Sequence, residues 1–119
     1  MKHSKSWYRK KCVAIAKRIA LTRDQYTCQK CGKNKFSDGV SIHASHVYPE
    51  GTYAGLSANP ENIKALCYHC HFWWWHKNPL EARDWFASTF PKRYVILKSL
   101  AKLTIQKDWE KEFEIMKNL

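Results

Sequence analysis

The sequence predicts an α+β domain, mainly helical, built around a central knuckle of four cysteines. Three observations carry this prediction. Two C-x-x-C pairs, Cys28–Cys31 and Cys67–Cys70, bracket the middle of the chain. Between them, Val40 to Tyr48 has the β-branched and aromatic content of a strand, stopped by Pro49. On either side, apolar residues recur at helical spacing. Two intervening residues let both thiolates of a pair turn toward one tetrahedral ion, so the cysteines predict a structural Zn2+ rather than disulfides or free core thiols. With 119 residues the chain has room for one domain with a modest core, which a bound metal would supplement.

Taken in order, residues 1–23 hold eight Lys or Arg and no acid. Tyr8, Cys12, Ile15 and Ile19 fall on one apolar helical face, and Lys10, Lys11, Lys17 and Arg18 form a basic flank. Cys12, without a C-x-x-C partner, is predicted to be a buried thiol. Residues 24–40 form the first knuckle, where Gly32 supplies the positive φ of its turn, and a second turn at Ser37-Asp38-Gly39. After the 40–48 strand, Glu50 to Glu61 is rich in Gly, Pro and small polar residues and predicts a loop, with a short returning strand near Tyr53 to Leu56. Asn59-Pro60-Glu61-Asn62 is a turn, and a helix is expected to begin near Cys67–Cys70. It carries Phe72-Trp73-Trp74-Trp75, whose rings point about 100° apart and cannot all be buried on one side. Asn78-Pro79 ends that helix. A short helix over Leu80 to Phe90 turns Trp85 and Phe86 inward. Lys92 to Leu119 has neither Gly nor Pro and predicts one last helix, with Trp109, Phe113 and Met116 on one face. The predicted organisation is a single domain over 1–119, divided into a basic helix (1–23), a zinc core (24–78) and C-terminal helices (79–119).

The formal net charge is +11, from 21 Lys and Arg against 10 Asp and Glu. Such an imbalance predicts a polyanionic partner, most simply DNA, because phosphate neutralisation drives sequence-independent binding. Plain solubility and attraction to a membrane surface are the competing readings of charge alone. With acids wholly absent from residues 1–23, the flank of Lys10, Lys11, Lys17 and Arg18 is expected to lie along DNA phosphates. No apolar run is long enough to span a bilayer, and the basic N-terminus lacks the apolar segment of a signal peptide. A reducing cytoplasm is the expected compartment, where thiolates hold zinc rather than oxidise.

The stretch from Cys28 to His76 resembles the HNH endonucleases, the His-Me finger or ββα-metal nucleases, of the zinc-containing four-cysteine type. The resemblance rests on Cys28-Gln-Lys-Cys31, His46-Val-Tyr-Pro49, Asn62 and Leu66-Cys67-Tyr-His-Cys70-His71, in that order, with eight residues between Asn62 and His71. It covers about half of the chain, and the flanks read most like small HNH proteins of bacteriophages. The resemblance implies a ββα-metal core merged with a treble-clef-like knuckle, and metal-dependent cleavage or nicking of double-stranded or branched DNA. His46 takes the general-base position and Asn62 that of the residue orienting it. His71 takes a helix-borne ligand position for one catalytic divalent ion, Mg2+ or Mn2+, distinct from the zinc.

Two positions depart from the family. Ser45 stands where an Asp or His ligand is usual, and Trp75 where many members have a second helix-borne His. His43 shares a strand face with Ser45 and is the expected strand-side ligand. His76, five residues after His71, reaches the site only if the helix ends or unwinds. The altered ligand set keeps two other functions open: a catalytically silent zinc module that binds DNA, and a structural adaptor such as a phage packaging or recombination accessory.

Overall fold

The first helix, α1 (Lys5–Arg23), starts where Ser4 accepts the Trp7 amide at 3.1 Å. Losing such a cap costs about 1 kcal/mol. The computed structural model describes residues 2–103 and 106–119. The buried face of α1 is Tyr8, Cys12, Val13, Ala16 and Ala20, whereas Ile15 and Ile19 are half-buried. The apolar face is therefore rotated from the expected one toward small residues. Ala16 and Ala20 let Ile63 and Met116 close directly onto the helix, and Ile15 packs at the margin of that cluster.

The sheet has two antiparallel strands, β1 (Ile42–His46) and β2 (Ile63–Cys67), in a register that pairs Ile42 with Cys67, Ser45 with Lys64 and His46 with Ile63. β1 is shorter than the 40–48 run. The returning strand is not at Tyr53 to Leu56, where Ala54–Leu56 is a 3-10 turn. It lies instead in Ile-Lys-Ala-Leu-Cys, every residue of which is buried. Side chains alternate across a strand, so β2 sends Ile63 and Ala65 to one face and Lys64 and Leu66 to the other. Ile63 meets α1, and Leu66 joins the cysteine cluster.

Three charged side chains fasten this region. Arg23 donates to the carbonyls of Pro60 and Ile63, and Arg93 to those of Glu61 and Ile63. Asp24 accepts the Ala65 amide at 2.9 Å, while the Gln29 amide donates to Ala65 O. The free edge of β2 is thereby paired, which meets the need of a buried strand for backbone partners.

A π-helix follows at His69–Trp75, then α2 (Pro79–Thr89), α3 (Pro91–Ala101) and α4 (Trp109–Met116). α2 lies close to expectation, with Phe86 fully buried and Trp85 half-buried against Trp74, ring centroids 5.2 Å apart. The single helix expected from Lys92 to Leu119 is two. Asp108 caps a new start by accepting the Lys111 amide. Trp109, Phe113 and Met116 then pack on α1, which a straight continuation of α3 would not bring about. Residues 104 and 105 of the expected helix lie outside the described residues. No described helix is long and apolar enough to cross a membrane.

Candidate active site

The loop after α1, the last residue of β2 and the start of the π-helix bring the four cysteines together. Gly32 takes φ +81° in the first knuckle, and its amide bonds to Cys28 O at 2.8 Å. The Cys31 amide points at Cys28 Sγ and the Cys70 amide at Cys67 Sγ, at 3.5 and 3.4 Å, so the two knuckles are built alike. All four sulfurs lie within 4.8 Å of one another, and Cys31 Sγ to Cys67 Sγ is 3.7 Å. Tetrahedral zinc with Zn–S bonds of about 2.3 Å places sulfurs about 3.8 Å apart. The donor set and its spacing therefore fit zinc. Burial pushes the Cys70 thiol far above its ordinary range, and Cys67 and Cys28 push the same way. A divalent cation removes that opposition by holding the thiolates.

His46 ends β1, and its Nε2 lies 2.9 Å from Ser57 O. A carbonyl only accepts, so Nε2 carries the proton and Nδ1 is left as the basic nitrogen. Burial lowers the His46 pKa, opposed in part by the Ser57 hydrogen bond and by Glu50. Asn62 is fully buried just before β2. Its Oδ1 accepts the Tyr48 amide at 2.8 Å, and its Nδ2 donates to Tyr48 O and Leu56 O. One side chain thus ties both ends of the 47–61 loop, including the stretch that supplies Ser57, the partner of His46.

The π-helix decides the histidines. Its wider turn bonds the His76 amide to His71 O, five residues back. That register brings His76 Nε2 to 3.1 Å from His71 Nε2, across the angular gap an α-helix would leave. His71 Nδ1 lies 3.3 Å from His43 Nδ1, whose other nitrogen is 2.9 Å from Ser41 Oγ. Two donors about 2.1 Å from one octahedral ion sit about 3 Å apart when adjacent. Both histidine pairs have that spacing, but they use opposite nitrogens of His71. A groove of about 410 Å³ is lined by His46, His71, His76, Trp75, Glu50 and Arg83, and not by His43. Burial takes the His71 pKa down to about 4, with His76 and His43 adding to the shift, so its imidazole is neutral and free to bind a metal at pH 7.

Ser45 does not face the groove as a free hydroxyl. Lys64, its cross-strand partner, is completely buried and donates from Nζ to Ser45 Oγ at 2.8 Å, with longer contacts to the carbonyls of Ser45 and His46. The same Nζ lies 3.1 Å from the centroid of the Trp75 ring. Sequence reasoning passed over Lys64. Its burial follows from the 63–67 strand being covered on both faces, which the sequence alone does not signal.

The basic flank of α1 divides. Lys10 and Lys17 line a shallow groove with Arg9 and Glu50, on the side of His46. Lys11 instead lies over the Trp7 ring, and Arg18 donates to Leu119 O. Arg83 on α2, not singled out from the sequence, lines the histidine groove. Of the aromatic run, Trp74 and Trp75 are half-buried, while Phe72 and Trp73 are exposed with Lys77 over the Trp73 ring. His69 is exposed, and His3 stacks on Trp7.

Residues 28–72 match the family model described as HNH endonuclease. The matched span is under half of the chain and contains the four cysteines, His43, His46, Asn62 and His71. The match implies a nuclease-type function, and the four-cysteine cluster within it is a possible metal site. No curated protein and no solved structure matches the chain.

Proposed function

We propose that this chain is a metal-dependent endonuclease that hydrolyses DNA phosphodiester bonds. The observation that carries the proposal is the convergence of His46 with the His71–His76 pair in one groove, beside a knuckle fit for zinc. His46 Nδ1 takes the proton of the attacking water, since Nε2 is committed to Ser57 O. Asn62 holds the loop that presents Ser57. His71 and His76, whose Nε2 atoms face each other, would hold the divalent ion, and His43 would orient His71 from its Nδ1 side. This departs from the expectation of His43 as a direct ligand, because His43 lies outside the groove that His46 lines. When bound, the ion offsets charge on the phosphate and on the departing 3′ oxygen. The zinc is structural. Arg83, Lys10 and Lys17 flank the groove and receive DNA phosphates.

The engagement of Ser45 by Lys64 favours one competing function, a DNA-binding module that does not cleave. Conversion of supercoiled plasmid to nicked circles separates the two. The nuclease reading expects nicking with Mn2+ and loss of nicking after the added ion is chelated with the zinc still in place. Products should carry 5′-phosphate and 3′-hydroxyl ends. DNA retention without nicking under any divalent ion would leave only the binding module.

A further inference from the structure

The outward face of the π-helix and its exit is aromatic, where a solvent-facing helix surface is ordinarily charged or polar. Tyr68, His69, Phe72, Trp73, His76 and Lys77 are all exposed. Residues four apart are neighbours on such a surface. Ring centroids are 5.0 Å apart for Tyr68 and Phe72 and 6.0 Å apart for Phe72 and His76. Beside them, Lys77 Nζ lies 4.1 Å from the centroid of the Trp73 ring. The His43 ring, on β1, extends the patch, 6.0 Å from Tyr68 and 5.3 Å from Phe72. Single exposed apolar side chains are ordinary, whereas a contiguous patch marks an interaction surface.

Three features fit this patch to unpaired bases of nucleic acid. Its apolar members are rings, with no Leu, Ile or Val among them, so it offers flat π faces and not an aliphatic socket. Residues 62–80 contain no Asp or Glu, and Lys77 stands beside Trp73 where the phosphate of a stacked nucleotide would need a cation. The patch also runs directly into the histidine groove. The Phe72 ring is 4.6 Å from that of His71 and reaches His76, and both histidines line the groove. In a duplex each base is already stacked on its neighbours, so only an unpaired base has a face to give to Phe72 or Trp73.

We propose that Tyr68, Phe72 and Trp73, with Lys77, form a stacking platform for unpaired bases of the DNA strand that enters the histidine groove. The favoured substrate is then DNA with an unpaired stretch next to the bond presented to His46. Every base has a π face, so recognition there is indifferent to base identity. Lys10 and Lys17 meet phosphates from α1, so stacking and charge act on different elements. This inference rests on DNA as the ligand of the groove, as in the proposed function, and not on its cleavage.

Fluorescence anisotropy with the zinc-loaded chain and no added divalent ion tests it. One probe is an oligothymidylate of about twelve nucleotides, and the other is an abasic strand with the same number of phosphates. The parent should bind the first about tenfold more tightly. Tyr68→Leu combined with Trp73→Leu keeps apolar bulk but removes two rings. It should lose most of that difference while retaining zinc and the salt dependence of binding, and Trp73→Phe should keep most of it. Phe72 is left in place because its ring packs on His71 and His76. With Mn2+, a duplex holding a bubble of unpaired thymines should be nicked faster than its fully paired counterpart, and the double variant should lose that preference. Equal affinity of the parent for the two strands, a double variant with the full difference, or equal nicking of bubbled and paired duplex would each overturn the inference. If the double variant releases zinc, the two strands compared on the parent and on Trp73→Phe decide. Self-association that disappears in the double variant, with no preference for bases, would assign the face to a second copy of the chain instead. A preference for bases in a chain that nicks no DNA would reject the cleavage reading and keep the platform, and nicking without any preference for bases would do the reverse.

Discussion

Two opposed local effects set the state of His46. Burial disfavours the imidazolium, and the Ser57 carbonyl fixes the proton on Nε2. The folded pKa therefore lies below the ordinary 6.5. Two pH dependences follow with the same sign. A base works unprotonated, so the single-turnover nicking rate should fall as pH drops through a folded value that lies below 6.5. For stability, the unfolded chain takes up this proton first, so the contribution of His46 is present above pH 6.5 and is lost as pH falls from there through the folded pKa. Rate profiles between pH 5 and 8 check the first point, and an inflection above 6.5 would show that burial does not govern the base. At this scale the cysteines were legible from their spacing, and His46 and Asn62 were marked out through the family resemblance of the stretch around them. Lys64 was not, because nothing in Ile-Lys-Ala-Leu-Cys announces that the whole strand is buried; that depends on α1 covering one face and the π-helix the other.

Among the elements, the two knuckles and the π-helix hold the site together. Each knuckle spends its amides on its own sulfurs, and Leu66 with Trp74 and Trp75 covers the cluster. The sheet has only two strands, too few to be stable by themselves. Cys31→Ser should therefore release the zinc and unfold the centre of the chain, a loss of several kcal/mol, since metal binding is folding free energy in such sites. Zinc content and amide dispersion measured together check this, and a zinc-free protein with a sharp thermal transition would contradict it. The knuckles could be read from sequence, whereas the π-turn could not. Five-residue spacing between His71 and His76 argues against a shared face in an α-helix, and four consecutive aromatic residues do not reveal that the helix widens. The 63–67 strand was hidden for a related reason: its last residue belongs to a C-x-x-C motif, which points to a knuckle and away from β2.

Across the whole molecule, charge and site coincide on one side of α1. Lys10 and Lys17 share a groove with Glu50, which also lines the histidine groove, while Lys11 and Arg18 are engaged by Trp7 and Leu119. Reversing Lys10 and Lys17 to Glu should weaken DNA binding alike for all sequences. It should also flatten the slope of log affinity against log salt by about 0.9 for each phosphate no longer neutralised. The paired reversal of Lys11 and Arg18 should do less. Equal effects from the two pairs, read from affinity at several salt concentrations, would place the DNA elsewhere. The net charge of +11 predicts a polyanionic partner, but only the packing of α1 against β1 and α4 shows which lysines lie toward the candidate site. Whether His46 is the base and the His71 side holds the ion is decided by nicking rate against Mn2+ concentration for His46→Ala and His71→Ala, with zinc content and DNA affinity matched to the parent. His46→Ala should lose about 10²–10⁴-fold in rate at every Mn2+ concentration, because excess metal does not replace a base. His71→Ala should recover as Mn2+ rises, because mass action offsets a weakened ligand set. Recovery of His46→Ala by metal, or parental rates in both variants, would contradict these roles.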